Sequence, residues 1–178
     1  AKPDGYNLTS AANGAMLNAP LLRKNPPYDP LADFSYVSVF AVMPNVLVVN
    51  VDLPIRNVRE LIEYTKANPG KINMSSAGVG SQSHLSGALL LALGGFESVH
   101  VPHKGGGPSV NAVVAAQTHW TLTPAPAVMS LVRNGRLRAL AQSLPRRTAL
   151  MPDLPPVADT VAGYDYNGWV GLVAAKGT

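Results

Sequence analysis

From residue 52 onward, apolar positions along this chain follow the period of a helix and the short runs of a strand in turn. Asn57 and Glu60 form a capping box, and the segment 68–70, Asn-Pro-Gly, is a stop signal for the helix that the box begins. The apolar face of this first helix is predicted to be Val58, Leu61, Ile62 and Thr65.

The same pattern predicts the elements that follow. Strands are expected at 72–75, 98–102, 120–123, 137–142 and 169–174. Helices are expected at 82–93, after Gly105, around 128–132 and at 154–162. Pro108 is expected at the first position of its helix. The inward face of helix 82–93 is expected to be Leu85, Ala88, Leu89, Ala92 and Leu93. For the helix after Gly105 it is expected to be Val110, Val113 and Val114.

Strands that alternate with helices of about ten residues indicate an α/β fold with a parallel sheet that helices cover on both faces. In such sheets, ligands bind beyond the carboxyl ends of the strands. The segments that start helices, 76–84, 103–109 and 123–127, are therefore expected along one edge of the sheet.

The first fifty residues have a different pattern. Strands are expected at 6–10 and over one long extended stretch, 37–51, which Pro44 interrupts. The proline-rich segment 20–33 is expected to be irregular surface chain.

The composition excludes several classes of protein. Of 178 residues, 47% are hydrophobic and 13% charged, which is typical of a packed globular protein. The net charge of +4 allows an anionic ligand without indicating nucleic acid, since no aromatic residues interleave with the arginines at 133–147. The absence of cysteine excludes disulfides and thiolate sites. The longest apolar run, 88–93, is too short to span a bilayer.

The segment 74–84, Met-Ser-Ser-Ala-Gly-Val-Gly-Ser-Gln-Ser-His, joins a predicted strand to a predicted helix and contains no acid. Glycines let the backbone approach a ligand closely, and the first amides of a helix have no partner inside it. The segment is therefore a candidate cradle for a small oxyanion such as a carboxylate. Ser81 is also expected to cap the helix.

Six motifs occur in order along the chain: KPDGY at 2–6, PNVLVVN at 44–50, ANPGKIN at 67–73, GSQSHLSG at 80–87, VHVPHKG at 99–105 and NGRLRALA at 134–141. Together they resemble the Bug family, the extracytoplasmic solute receptors of tripartite tricarboxylate transporters. The resemblance runs nearly from end to end and implies a periplasmic-binding-protein-like fold.

The resemblance also implies the organisation of the chain. Residues 1–45 would belong to an incomplete first lobe, 46–51 and 166–173 would be hinge crossings, 52–165 the second lobe, and 174–178 a return to the first lobe. The chain would be a fragment, since family members have further segments before and after it, including an N-terminal glycine-rich ligand loop.

For function, the resemblance implies a monomeric periplasmic receptor, not an enzyme, that delivers its ligand to membrane transporter subunits. No cofactor, metal or nucleic acid is implied. The ligand contacts carried over are Ser10, Ala11 and Asn13 in a first-lobe loop, and Ala77, Gly78, Gly80, Ser81, Gln82, Ser83, His84, His103 and Thr123 in the second lobe.

Many members have an aspartate at position 123 and a tyrosine at position 103. The threonine found here favours a plain mono- or dicarboxylate over an amine-bearing ligand.

Other interpretations of the same residues remain open at this point. Residues 78–83 resemble a dinucleotide-binding turn without its third glycine, and Glu97 follows at roughly the distance of a ribose-binding acid. A lobe that binds no ligand is a third possibility. Catalysis by Ser81 and His84 is disfavoured, because no acid lies close in sequence and no Gly-x-Ser-x-Gly elbow exists. His84 is instead expected to bond a neighbouring carbonyl, and a metal site at His100 and His103 is disfavoured because an odd offset in a strand points to opposite faces.

Overall fold

The computed structural model describes residues 4–178, so the first three residues of the predicted first lobe, with Lys2 and Pro3 of its first motif, lie outside the described residues. The chain forms two compact units. Unit 1 contains the described residues up to Met43 together with Gly168–Thr178, and unit 2 contains Pro44–Asn167. The chain therefore passes from one unit to the other twice.

Unit 1 is built on antiparallel pairing. Its elements are β1 (Leu8–Ala12), a π-helical turn (Gly14–Asn18), a short helix α1 (Ala19–Leu21), the first part of β2 (Phe34–Asn50) and β7 (Asn167–Ala175). Strand β1 pairs with β7, and β7 also neighbours β2. A small apolar core of Ala11, Met16 and Val173 lies beside these strands.

Three predictions for this region need correction. The first strand lies at Leu8–Ala12, two residues later than expected, because its ladder with β7 extends to Ala12. Strand β2 continues through Pro44, and its pairing with β5 (Trp120–Pro124) begins at Asn45, one residue after the proline. The segment 20–33, expected to be irregular, begins inside α1.

Unit 2 alternates strands and helices as predicted. After the second part of β2 come α2 (Val58–Ala67), β3 (Asn73–Ser76), α3 (Gln82–Gly94), β4 (Val99–Pro102), α4 (Gly106–Val114), β5 (Trp120–Pro124), α5 (Met129–Arg133) and β6 (Leu137–Gln142). The capping box of α2 is confirmed, because the Asn57 side chain accepts the Glu60 amide at 2.9 Å. The helix expected at 154–162 is only a 3₁₀ turn at Val157–Asp159.

The sheet of unit 2 is mixed. Its order is β6-β2-β5-β3-β4, in which β3 is parallel to β4 and to β5. Strand β2 lies between β5 and β6 and is antiparallel to both, so β5 and β6 run in the same direction. The strands that follow helices are thus mutually parallel as predicted, and β2 differs because it enters from unit 1 and not from a crossover helix. The carboxyl ends of β3, β4, β5 and β6 share one edge of the sheet.

Helices cover both faces of this sheet, which confirms the α/β class. Leu47 and Val49 of β2 point to one face, where the core includes Leu61 of α2 and Leu90 of α3. Val46 and Val48 point to the other face, where the core includes Val110 and Val113 of α4 with residues of α5 packed against it. The alternation along β2 divides the core into two layers.

Helix α3 buries a different face from the one predicted. The buried residues are Ser83, Ser86, Gly87 and Leu90, whereas Leu93 is exposed. The helix is apolar around most of its circumference, so periodicity could not select a face. Small residues face the sheet because Gly87 lies against the side chain of Met74 on β3, where a Cβ atom has no room. In α4, Pro108 occupies the third position and not the first.

Candidate functional site

The turn between β3 and α3 lies at the carboxyl edge of the sheet, where the sequence analysis placed the ligand site. Gly78 and Gly80 have φ values of +123° and +79°, a region that L side chains rarely adopt. A Cβ atom on Gly78 would lie 3.3 Å from the carbonyl oxygen of His103, so the turn runs close to the segment after β4. The backbone conformation at position 78 therefore favours glycine, and a side chain there would also make a tight contact with the His103 carbonyl.

Side chains of the turn itself hold most of its backbone amides. The Ala77 amide donates to Ser83 Oγ at 2.8 Å, and the Gly80 amide donates to His84 Nδ1 at 3.1 Å. The Gly78 amide donates to Ser76 Oγ at 3.2 Å. The turn is consequently a rigid, internally bonded structure, and fewer of its amides are open to a ligand than the glycine-rich sequence indicated.

Ser81 caps helix α3, as predicted. Its hydroxyl accepts the His84 amide at 3.2 Å and donates to the Gly78 carbonyl at 2.7 Å. It also lies 3.2 Å from the hydroxyl of buried Ser83. The cap satisfies one amide of the first turn. The positive end of the helix dipole favours an anion at this end of α3.

His84 was expected to bond a neighbouring carbonyl, and this prediction is wrong. Its Nδ1 atom accepts the Gly80 amide, and its ring stacks on that of His100, with centroids 4.2 Å apart and planes at 17°. His100 lies on β4, and its Nε2 is 2.6 Å from Ser76 Oγ. Burial lowers the pKa of both rings, and the neighbouring His84 lowers the pKa of His100 further. Both rings are thus favoured in the neutral form.

Neither His100 nor Ser76 was predicted as a ligand contact, although Ser76 lies within the candidate cradle at 74–84 and His100 was considered for a metal site. His100 lies beside Met74 in the parallel register of β3 and β4, and Ser76 is the last residue of β3. The adjacency of two predicted parallel strands was the signal that could have brought these two residues together with His84. Spacing along the chain carries no such signal.

His103 and Thr123 lie at the same edge of the sheet. The His103 amide donates to the Ser76 carbonyl at 2.9 Å, and its Nε2 atom is buried with no hydrogen-bond partner among residues 4–178. Thr123, on β5, is opposite Val46 and only 2% exposed. The structure therefore places His103 next to the turn, while the Thr123 side chain presents almost no surface.

A buried polar network lies near these residues and was not anticipated. Asn45 donates through Nδ2 to Ser86 Oγ at 3.0 Å and through its backbone amide to Ser143 Oγ at 2.8 Å. The Tyr164 hydroxyl donates to the Ser86 carbonyl at 3.0 Å, and burial strongly raises the pKa of this phenol. The network ties β2, α3 and the segment after β6 together.

The three candidate residues of unit 1 do not form a single loop. Ser10 and Ala11 lie in β1, and Ala11 is 1% exposed within the core of unit 1. Asn13 follows the strand, and its Oδ1 accepts the Trp169 amide at 2.8 Å. The expectation of a loop over 10–13 is wrong, because pairing with β7 extends the strand.

Across residues 4–178, no group of three His, Asp or Glu side chains is arranged to hold a metal ion. Within the same part of the chain, no helix has both the length and the apolar character needed to cross a membrane.

Comparison with known proteins identifies the family. The model of TctC, the tripartite tricarboxylate transporter family receptor, matches residues 1–178. The chain belongs to this family. The resemblance drawn from the six motifs is thereby confirmed.

Solved structures of this family carry the same fold. R. palustris Rpa4515 with adipate has a TM-score of 0.95 and 32% identity over the whole chain, which covers 60% of that protein. The periplasmic binding protein BugD has a TM-score of 0.90 and 31% identity, with 60% of its length covered. MatC (Rpa3494) from Rhodopseudomonas palustris with bound malate has a TM-score of 0.88 and 29% identity, with 61% covered. The predicted periplasmic-binding-protein-like fold is confirmed.

This TctC chain is shorter than its relatives. It spans 53% of the length of the first two curated relatives it matches, which are 31% and 34% identical to it.

Proposed function

We propose that the full-length protein is a periplasmic receptor that captures a small mono- or dicarboxylate and delivers it to the membrane subunits of a tripartite transporter. The observation that carries this proposal is membership of the TctC family, in which Rpa4515 was solved with adipate and MatC with malate. In this proposal the protein acts as a monomer, without catalysis and without a cofactor or metal.

The chemistry of the β3–α3 turn supports an anionic ligand. Between Met74 and Phe96 there is no aspartate or glutamate, so no side chain of this segment repels a carboxylate. The start of α3 contributes the positive end of its dipole, and Ser81 and Ser83 contribute hydroxyls. The proposed ligand-binding residues of unit 2 are Ala77, Gly78, Gly80, Ser81, Gln82, Ser83, His84, His103 and Thr123.

We further propose a two-lobed mechanism for the full-length protein. Residues 52–165 form the second lobe, 46–51 and 166–173 are the hinge crossings, and 1–45 with 174–178 belong to the first lobe, which contributes Ser10, Ala11 and Asn13. Closure on a ligand is a population shift, so the ligand must bind the closed state more tightly than the open state.

Nucleotide binding at the same turn is less well supported. Glu97 lies before β4, whereas the turn follows β3. Because β3 and β4 are parallel, Glu97 is at the amino edge of the sheet and the turn is at the carboxyl edge. A ribose-binding acid would have to lie at the carboxyl edge.

Thermal unfolding of the full-length protein tests the proposal. Adipate, malate and a panel of other carboxylates are compared with NAD. A ligand at about one hundred times its Kd stabilises the folded state by about 2.7 kcal/mol, which raises the melting temperature by several degrees. Stabilisation by NAD alone, or by no carboxylate in the panel, would contradict the proposal.

A further inference from the structure

His84 and His100, here called the histidine pair, hold the turn between β3 and α3 (residues 77–81), here called the ligand turn. His84 bonds its backbone directly, and His100 does so through the Ser76 side chain. His84 receives the Gly80 amide on Nδ1, and His100 contacts Ser76 Oγ, which in turn accepts the Gly78 amide. The two glycines held in this way are the residues with positive φ in the turn, at +123° and +79°. The histidine pair therefore fixes the part of the turn whose conformation is otherwise most free.

Each bond of the histidine pair depends on the protonation state of its ring. A neutral His84 that accepts at Nδ1 carries its proton on Nε2, and protonation of Nδ1 breaks its bond with the Gly80 amide. A neutral His100 can accept the Ser76 hydroxyl proton at Nε2 while Ser76 Oγ accepts the Gly78 amide. Protonation of His100 turns its Nε2 into a donor, so the Ser76 hydroxyl proton must leave that direction. The Gly78 carbonyl, 3.3 Å away, is the acceptor in reach.

The surroundings of the histidine pair supply no counter-charge. His84 contacts the His100 ring from β4 and the Gly80 amide from the turn, and its own backbone amide donates to the Ser81 hydroxyl. His100 is met by Ser76 from β3. In the segment after β4, the titratable groups are His103 and Lys104, neither of which offers a negative charge. Among the described residues, no carboxylate is bonded to either ring, so two charged rings 4.2 Å apart would repel each other.

We propose that His100 is a positioning residue for the ligand turn, and that the histidine pair makes carboxylate binding depend on pH, with affinity falling as the pair is protonated. This inference rests on the proposed function. His100 acts through His84 and Ser76 and does not itself need to touch the ligand. While His84 is neutral the turn keeps the bond between the Gly80 amide and His84 Nδ1. Because burial lowers the pKa of both rings below the ordinary 6.5 of histidine, this bond is lost only at lower pH, as the lowered pKa values are passed.

A simple electrostatic effect predicts the opposite sign. A positive ring close to an anion site would raise carboxylate affinity on acidification. The positioning role predicts the other sign because the ring nitrogens bond the Gly80 amide and the Ser76 hydroxyl, and not the ligand. The sign of the pH dependence therefore distinguishes a positioning role from direct attraction of the ligand.

Binding of adipate and malate to the full-length protein is measured by calorimetry between about pH 8 and about pH 5. His100→Gln keeps an acceptor for Ser76 and cannot titrate. His84 still titrates in this variant and only the repulsion between two charged rings is removed. We therefore expect it to bind within about threefold of wild type at the higher pH and to lose about threefold less affinity than wild type on acidification, without becoming independent of pH. Titration of the ligand itself is common to both proteins and cancels in the comparison. His119→Gln is the matched control, because His119 has a pKa that burial lowers but accepts the Asn73 amide, away from the turn.

Three results overturn the inference: equal pH dependence in wild type and His100→Gln, affinity that rises on acidification, or the same loss of pH dependence in His119→Gln.

Nitrogen NMR of the ligand-free wild type is a second test that needs no variant and no ligand. We expect His84 as the Nε2–H tautomer and a Gly80 amide signal that follows the titration of the histidine pair. A Gly80 amide chemical shift that does not change as the histidine pair titrates also overturns the inference. Absence of carboxylate binding at the higher pH would instead contradict the proposed function.

Discussion

Gly87 of α3 lies directly against the side chain of Met74 on β3, with no room between them for a Cβ atom. This contact sets how closely α3 approaches the sheet. Ser83 and Ser86 lie on the same buried face, where Ser83 Oγ accepts the Ala77 amide and Ser86 Oγ bonds the Leu122 carbonyl. The close approach of α3 thus places its first turn where it can hold the ligand turn.

Gly87→Ala is expected to destabilise unit 2 although alanine is the better helix former. The methyl group collides with Met74, and overpacking of this kind costs about 1–3 kcal/mol, which exceeds the gain of about 1 kcal/mol in helix propensity. Chemical denaturation of the full-length protein measures the change. The matched control is Gly107→Ala in α4, where the added atom meets nothing within 4 Å, and we expect no loss of stability there. Equal effects of the two substitutions would show that α3 does not pack as described.

Tyr164→Phe removes a buried hydrogen bond and leaves the Ser86 carbonyl without this donor. We expect a loss of about 0.5–1.5 kcal/mol in the free energy of unfolding. Tyr28→Phe removes a hydroxyl that also donates to a carbonyl, that of Ala15, but at an exposed position, and it should cost less. Denaturation curves of the two variants decide the matter, and a larger loss for Tyr28→Phe would contradict the burial of the Tyr164 network.

Stability is expected to fall as the pH is lowered through the histidine range. Burial lowers the pKa of His84, His100 and His119 in the folded state below the 6.5 of an ordinary histidine. Below that pH the unfolded chain binds protons that the folded state resists, so folding is progressively disfavoured until the folded-state pKa values are passed. Denaturant midpoints at a series of pH values measure the effect. His119→Gln should flatten the dependence in part, and an unchanged slope would show that His119 does not contribute.

Local sequence signals predicted most of the elements of unit 2. The capping box at Asn57 and Glu60, the cap at Ser81 and the glycines that end helices act through neighbours in the chain, so they can be read without tertiary information. The alternation of strands and helices likewise indicated the α/β class.

The features that were missed depend on residues distant in sequence. Strand β2 is antiparallel within the sheet because it arrives from unit 1, and no local pattern records that entry. The buried face of α3 is chosen by the space around Met74. His100 joins the site because β3 and β4 are adjacent and in register. The amides of the turn are taken by Ser83 and His84, side chains that the sequence analysis had assigned to the ligand.

The start of α3 is proposed to receive a carboxylate, and two substitutions at Ser81 separate this role from capping. Aspartate and asparagine both cap helices well, so both variants should keep α3 intact. The aspartate variant adds a negative charge at the proposed site, whereas the asparagine variant adds none. Calorimetry with adipate and malate on the full-length protein should show measurable binding to Ser81→Asn and binding to Ser81→Asp weaker than to Ser81→Asn by at least about tenfold. Equal affinities of the two folded variants for every carboxylate tested would show that no carboxylate lies at the start of α3.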